Sequence, residues 1–361
     1  MRSRSTLAAP VIASLLLAGF LAHPGQARAQ AQAQAQAQDT APPPVLYHGT
    51  CAASAAAAIS EGALDGLIAV ANDVDNTLRL YRAGQAAPAS TLDLDTHLGI
   101  AAADVGNRRA RADIEATARL GERIYWIASH SRDNDGDHRP YRHRFFATCL
   151  QAGGQGGPTL QPEGRATSLT SALRAALEAL LPPAELAKAF GAGEGRDPGA
   201  SPDNGGLNIE GLSARPDGSL LIGLRGPLHE GNAIVIPLLN PAEVVGGQEP
   251  VTGPALAIAL EGRGIRAIEY VPSREAYLIV AGPQKDGDDF ALFTWSGIPD
   301  ASPLRLGITS WAALDLFRPE GLVVGADGSR IHLFSDDEDM CKRHTDQPRQ
   351  FRSIEITLSG P

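Results

Sequence analysis

The chain has 361 residues, 43% of them hydrophobic and 20% charged, which is ample material for a large packed core and excludes a disordered protein. Acidic residues number 41 against 31 basic, and setting apart the three arginines of the amino terminus leaves 28 basic residues and a formal charge of −13. That balance repels phosphate backbones and anionic lipid, which argues against nucleic acid and membrane surfaces as partners.

The first residues carry Arg2 and Arg4, then an apolar run from Leu7 to Ala22, then Ala27-Arg28-Ala29, a small-x-small site of the kind a signal peptidase reads. Pro10 and Gly19 interrupt the apolar run, which falls short of the ~20 residues a bilayer requires. Residues 1–29 are therefore expected to be a signal peptide cleaved after Ala29, which delivers a monomer without membrane insertion to the periplasm or beyond. The Ala-Gln alternation and Pro42-Pro43-Pro44 that follow have no face to bury, so 30–44 is expected to be a disordered linker, with a single folded domain over 45–361.

From Val45 onward the signal is short apolar strands punctuated by Gly, Pro and Asp turns. A first unit runs from Ser54 through Asp65-Gly66 into Leu67-Ile68-Ala69-Val70. A second runs from Asp113-Ile114-Glu115 through Gly121 into Ile124-Tyr125-Trp126-Ile127. Leucines at 169, 173, 177 and 181, stopped by Pro182-Pro183 and followed by Gly191, predict a two-helix insertion over about 166–192, either packed on the flank or placed as a lid. Then come Glu210-Gly211-Leu212 with Asp217-Gly218-Ser219, Ile268-Glu269 leading to Tyr277-Leu278-Ile279-Val280, and Glu320-Gly321-Leu322 with Asp327-Gly328-Ser329. The first and last of these three match without a gap at a spacing of 110, and their Asp-Gly pairs are hairpin signals. Units of this length with a repeated strand-turn-strand motif predict an all-β fold, a β-propeller of about five blades with six possible. A β-sandwich would not explain one acidic element recurring before one hairpin.

Several of these stretches, in order, resemble a known family. They are Asn72-Asp73-x-Asp75-Asn76-x-Leu78-x-Leu80-Tyr81, Asp113-Ile114-Glu115, Trp126-Ile127-Ala128-Ser129-His130-Ser131-Arg132, Asn208-Ile209-Glu210-Gly211-Leu212 and Gly264-Ile265-Arg266-x-Ile268-Glu269-Tyr270. The set resembles the bacterial domain of unknown function 3616 from about Tyr47 to the end, which implies a propeller and export but supplies no activity and no catalytic residues. The Asp/Asn-x-Glu-Gly element is also similar to one in esterase-like phytases, a likeness at the level of fold.

In a propeller the first strand of each blade lines the channel, so Glu115, Glu210, Glu269 and Glu320 are expected to converge on one axis. Clustered carboxylates need compensation. One form is a hard cation such as Ca²⁺, with Asn72 and Asp73 completing the oxygen ligands. The other is architectural, with each Glu taking backbone N–H bonds or pairing with Arg266, Arg225 or Arg318. Second-strand ends add Asn72 and Asp73, His130, Arg225 and Ser335 with Asp336 at one mouth, a mixture suited to a small anionic molecule or to acid–base chemistry with Glu210, His130 and Arg225 as catalytic candidates. Asp133, Asp135 and Asp137 resemble the start of a calcium loop but lack its closing Glu, and Asp336-Asp337-Glu338-Asp339 is an acidic loop.

No Gly-x-Ser-x-Gly, His-Glu-x-x-His or Gly-Lys-Ser motif is present. Two function classes remain: a cation-dependent hydrolase of phosphoesterase type, and a non-catalytic propeller binding a small ligand or an envelope protein. Cys51 and Cys341, near the two ends of the folded region, are expected to be bonded, with Cys149 a buried free thiol; the alternative is three buried thiols.

Overall fold

The structure is a computed structural model that describes residues 43–59, 66–101, 104, 110–151, 157–308 and 310–358. The expected signal peptide, its cleavage point, nearly all of the linker and Asp65 lie outside the described residues.

After β1 (Val45–His48) the chain builds blade I from β2 (Ala55–Ala58), β3 (Leu67–Ala71), β4 (Thr77–Arg82) and β5 (Ser90–Asp93). Blade II is β6 (Ile114–Leu120), β7 (Arg123–Ala128), β8 (Phe145–Gln151) and β9 (Thr159–Thr167). Two helices follow, α1 (Thr170–Glu178) and α2 (Pro183–Phe190), within the span expected for the insertion. Blade III is β10 (Asn208–Ala214), β11 (Leu220–Gly226), β12 (Ala233–Leu238) and β13 (Leu256–Ile258), and blade IV is β14 (Gly264–Val271), β15 (Ala276–Gly282), β16 (Ala291–Trp295) and β17 (Leu304–Leu306). Blade V is β18 (Pro319–Val324), β19 (Arg330–Ser335), β20 (Gln350–Thr357) and, on its outer edge, β1. Each blade is a four-stranded antiparallel sheet, and the inner strands touch in sequence, β2 to β6 to β10 to β14 to β18 and back to β2. The chain is a five-bladed β-propeller.

Both faces of every blade are covered, which is why the strands read as apolar runs and not as an alternation. Ile124 and Trp126 of β7 pack with Leu78 and Leu80 of blade I, while Tyr125 and Ile127 of the same strand pack with Ile222 and Leu224 of blade III. Five separate hydrophobic clusters result, one for each contact between neighbouring blades. Glycine follows the acid in blades III and V because neighbouring groups come too close for a side chain: a Cβ on Gly211 would lie 2.7 Å from Ile265 of the next blade, and one on Gly321 would lie 2.9 Å from Phe334 of its own blade and 3.3 Å from Ala56 of the next.

The insertion packs and does not cover. Leu173 and Leu177 of α1 and Leu186 of α2 join the cluster between blades II and III beside Ile127, Phe145 and Leu224. Arg132, just after β7, ties the segment down by donating to the carbonyls of Gly136, Phe190, Gly193 and Gly195.

Ring closure needs special provision, because the contact between blades V and I meets only alanines of β2, Ala56 and Ala58. Aromatic rings fill it: Tyr47 stacks on Phe351 at 5.3 Å between centroids and meets Tyr81 edge-on at 5.1 Å. β1 pairs antiparallel with β20 from Val45↔Ser353 to His48↔Gln350, so the first strand completes the last blade. Asp337 fastens the corner, donating its N–H to the Cys51 carbonyl at 2.9 Å and pairing with Arg352 at 2.6 Å. Cys51 and Cys341 are disulfide-bonded with Cα atoms 6.1 Å apart, as expected. Cys149 is a free thiol, but it is half-buried on β8 and not fully buried as the sequence suggested.

The disulfide spans 290 residues, so in the chain-entropy model it stabilises by about 6 kcal/mol. Replacing both cysteines by serine is expected to lower the melting midpoint by roughly 10 °C while the circular dichroism spectrum stays β-type. A midpoint within ~2 °C of the parent would assign closure to β1 pairing and the aromatic cluster alone.

Candidate functional site

The channel-facing residues owe their direction to a repeated irregularity. Where β6, β10, β14 and β18 start to pair with the second strand of their blade, the register skips one residue, between Ile114 and Ala116, Ile209 and Gly211, Ile265 and Ala267, and Pro319 and Gly321. Each skip is a β-bulge, which leaves one residue out of the ladder and re-aims its side chain. The bulged residues are Glu115, Glu210, Arg266 and Glu320. In blade I, Ser54 occupies the place just before the first paired residue, Ala55. Ser54, Glu115, Glu210 and Glu320 line one constriction of the channel, and Arg266 reaches into the same layer.

The ring is compensated on one side only. Arg266 Nη1 donates to Glu210 Oε2 at 3.0 Å and to Glu320 Oε1 at 2.6 Å, joining blades III, IV and V. Glu210 Oε1 also accepts from Asn208 Nδ2 at 2.9 Å and from Arg225 Nη1 at 3.1 Å. Across the ring, Ser54 Oγ is buried without a partner, and among the described residues no hydrogen bond reaches the Glu115 carboxylate. Burial, reinforced by Asp113 and Glu210, pushes the Glu115 carboxyl well above the usual range. Glu320 is raised to about 7 by burial despite Arg266.

Above the ring lie the loops after the second strands. Asp113, in a left-handed conformation (φ 60°), pairs with Arg142 at 2.9 Å. Asp336 is pushed up to about 8 by burial and by Glu320. Asp73, raised well above its ordinary value by burial and by Asp336 and Asp113, keeps Oδ1 buried with no partner. Four arginine N–H groups are also buried without a hydrogen bond, namely Arg111 Nε, Arg225 Nη2, Arg266 Nε and Arg318 Nε.

Glu115, Glu210 and Glu320 stand where the sequence placed them, and Asp73, Arg225 and Asp336 gather at the same mouth. Glu269 does not. It sits three residues beyond the bulge, towards the opposite mouth, where it accepts the Val324 N–H at 3.1 Å. Ser213, three residues beyond Glu210, does the same for the Tyr270 N–H at 2.8 Å. This position latches one inner strand to the next, and the ring member of blade IV is Arg266. The intervals show the correct phase: Glu210 to Arg266 is 56 residues and Arg266 to Glu320 is 54, whereas Glu269 divides the same 110 as 59 and 51.

Asn72 shapes its own loop, accepting from the Val74 and Asp75 N–H groups and donating to the Asp75 carboxylate. His130 is buried and satisfied: Nδ1 lies 2.9 Å from the Ala128 carbonyl and Nε2 accepts the Leu169 N–H at 3.1 Å, while burial lowers its pKa to about 4. It is neutral and holds the start of the insertion, with neither nitrogen open to a reactant. Asp133 accepts the N–H groups of Asp135 and Asp137 and pairs with Arg139, the bonding of a hairpin tip.

These findings bear on the expected calcium. Both oxygens of Glu210 are engaged by N–H donors, Asn72 is spent on its turn and Glu269 is elsewhere. Among the described residues no three His, Cys, Asp or Glu side chains are arranged to hold a metal ion. The donor set does not fit a preformed cation cage.

Carboxyls whose folded pKa is raised stabilise the fold fully below their unfolded values, near 4, and lose that contribution as pH rises through the folded values, about 7 for Glu320 and about 8 for Asp336. His130 and His143, lowered to about 4 and about 3, contribute above pH 6.5 and lose it as pH falls through those values. Between about pH 4.5 and 6.5 these two contributions oppose one another, and above pH 6.5 only the loss from the carboxyls continues, so the melting midpoint at pH 8.5 should lie below that at pH 6 by ~5 °C or more. A midpoint that rises from pH 6 to 8.5 would show that the ring carboxyls are not held protonated.

No curated protein matches the chain. Among solved structures, the glutaminyl cyclase of Myxococcus xanthus is similar at 15% identity and a TM-score of 0.39, over 87% of this chain and 96% of that one. A mitotic checkpoint complex is similar at 11% identity and a TM-score of 0.33, over 81% and 72% respectively. A family model described as "Protein of unknown function (DUF3616)" matches residues 198–310. The resemblance to that family thus holds over the stretch that supplies Glu210, Arg225 and Arg266 to the ring.

Proposed function

We propose that the protein is an exported propeller that binds a small anionic molecule at the ring-side mouth of its channel. The observation that carries this reading is the set of buried arginine N–H groups that make no hydrogen bond among the described residues, on Arg111, Arg225, Arg266 and Arg318, of which Arg225 Nη2 and Arg318 Nε have only loose carboxylate contacts, to Asp203 and Asp288 at 3.6 Å. A buried donor left unpaired costs roughly 1–3 kcal/mol, and a carboxylate or phosphate oxygen would recover it. Export is supported by the basic, apolar and small-residue order of residues 1–29 and by the disulfide, a bond that persists in oxidising compartments.

A specific observation also favours a hydrolytic form. Glu320 and Asp336, raised to about 7 and about 8, would change protonation near neutral pH beside an arginine, as a general acid–base pair requires. The short likeness to esterase-like phytases makes a phosphomonoester the first substrate to try. In this form the arginines hold the anion, one protonated carboxyl gives its proton to the leaving oxygen, and an ionised one takes a proton from water.

Inorganic phosphate is expected to raise the melting midpoint of the parent protein, and to do so less for Arg225→Met, which keeps Glu210 paired to Arg266. No shift with phosphate, sulfate or citrate would remove the anion site. p-Nitrophenyl phosphate turnover with a bell-shaped pH profile, lost in Asp336→Asn, would establish the hydrolase; no turnover leaves a binding protein. Each assay is run with calcium and with chelator. A calcium-dependent rise in midpoint, lost in Glu115→Gln, would restore the cation-dependent form.

A further inference from the structure

At the end of the channel opposite the ring, the inner strands splay into a funnel of about 650 Å³. That volume is in the range of small-molecule sites. Its wall is mostly short and aliphatic, from Ala58, Ala118, Leu212, Leu322 and Val324, with Thr117, Ser213 and Tyr270 adding polar groups, and among the described residues Glu269 is the one carboxyl set within it. The other charged lining residues, Arg119 and Glu122, belong to the blade II hairpin at the rim, where Glu122 is exposed and Arg119 donates to the Gly121 carbonyl at 2.8 Å.

We propose that this funnel binds a small organic cation, an ammonium or guanidinium group on a short apolar body, with Glu269 as the counter-ion. The site is separate from the anion site at the other mouth. Glu269 Oε2 is occupied by the Val324 N–H, and no other hydrogen bond from a described residue reaches this carboxyl. Latching a strand therefore accounts for one oxygen only, and Ser213 makes the same latch with a hydroxyl and no charge. A carboxyl is not needed for the latch.

Among the described residues no counter-charge pairs with Glu269: Arg119 donates to the Gly121 carbonyl and Arg274, just after β14, to the Gly328 carbonyl. Glu210 on β10 and Glu320 on β18 lie three residues nearer the ring and are held by Arg266, which with Arg225 of β11 is committed there. Tyr277 of β15 and Tyr270 pack on each other with ring centroids 5.1 Å apart. Burial without a counter-ion raises the Glu269 carboxyl to about 8, so the empty funnel holds it protonated at neutral pH. A bound cation restores the ionised form, and one proton leaves as the cation enters. The apolar wall would hold the body of the ligand, which separates such a molecule from a strongly hydrated metal ion.

The test uses butyltrimethylammonium, whose charge does not titrate, in calorimetric titrations of the full-length mature protein. Saturable binding is expected, roughly tenfold tighter at pH 9 than at pH 7 for a carboxyl titrating near 8. Glu269→Gln keeps an oxygen to accept the Val324 N–H, so the fold should survive while affinity falls at least tenfold and its pH dependence disappears. Ala326→Trp, at an exposed position on the funnel lining, should block binding at both pH values with the melting midpoint unchanged. Absence of binding in the parent, equal binding by Glu269→Gln, or equal binding of sodium butyrate would each overturn the proposal.

Discussion

Closing five sheets into a ring leaves each inner strand with one unpaired edge beside a channel only a few side chains wide, and any charge placed there must be met by another. Arg266 is the chain's answer at the constriction. Its guanidinium touches carboxyls from the blades on either side and donates to the Pro283 carbonyl, so one side chain bridges Glu210 and Glu320 and fixes three blades relative to one another, with Arg225 adding a second positive charge at Glu210. Removing one partner of such a buried pair costs roughly 3–5 kcal/mol because a charge is stranded, which is more than the intact pair contributes. The ring is thus better understood as a device for holding blades in phase than as a source of stability.

The opposite half of the ring has no such answer. Glu115 has Ser54 for a neighbour where blades III to V share an arginine, and burial pushes its carboxyl well above the usual range. Moving outward through Asp113, Asp73 and Asp336, acids continue to gather with arginines whose N–H groups are only partly used. A closed structural network would satisfy these atoms, as Asp337 with Arg352 and Ser335 does at the closure. Leaving both donors and acceptors unmet at one mouth is the pattern of a site that a ligand completes.

Much of this was legible in the sequence, and the failures have physical causes. The five blades were visible because hairpin turns leave a local mark: Asp217 and Asp327 each accept the N–H two residues on, and Gly218 and Gly328 take positive φ. The Glu-Gly pair could be read because the bulge and the close approach of neighbouring groups need those two residues together. Blade IV misled because its bulge carries the opposite charge, and Ile268-Glu269 offers a decoy three residues later. His130 looked like a catalyst because a buried histidine with two backbone partners and an active one are the same letter; only the Ala128 carbonyl and the Leu169 N–H separate them. Arg142 on Asp113 could not be read at all, since that pair joins the residue before β6 to the loop between β7 and β8, two segments apart in sequence that meet at one end of blade II.

The two mouths differ because the inner strands of blades III and IV are used twice over a span of three residues. At the first paired residues the bulge turns a long side chain into the channel in blades II to V, and where Glu210, Arg266 and Glu320 meet they are complementary. Three residues on, the strands have diverged, and Glu269 and Ser213 reach only the next strand's free N–H. A hydroxyl suffices for that bond. A carboxylate at the same place has an oxygen to spare and no cation near it, so the charge of Glu269 has its explanation in the funnel and not in the fold.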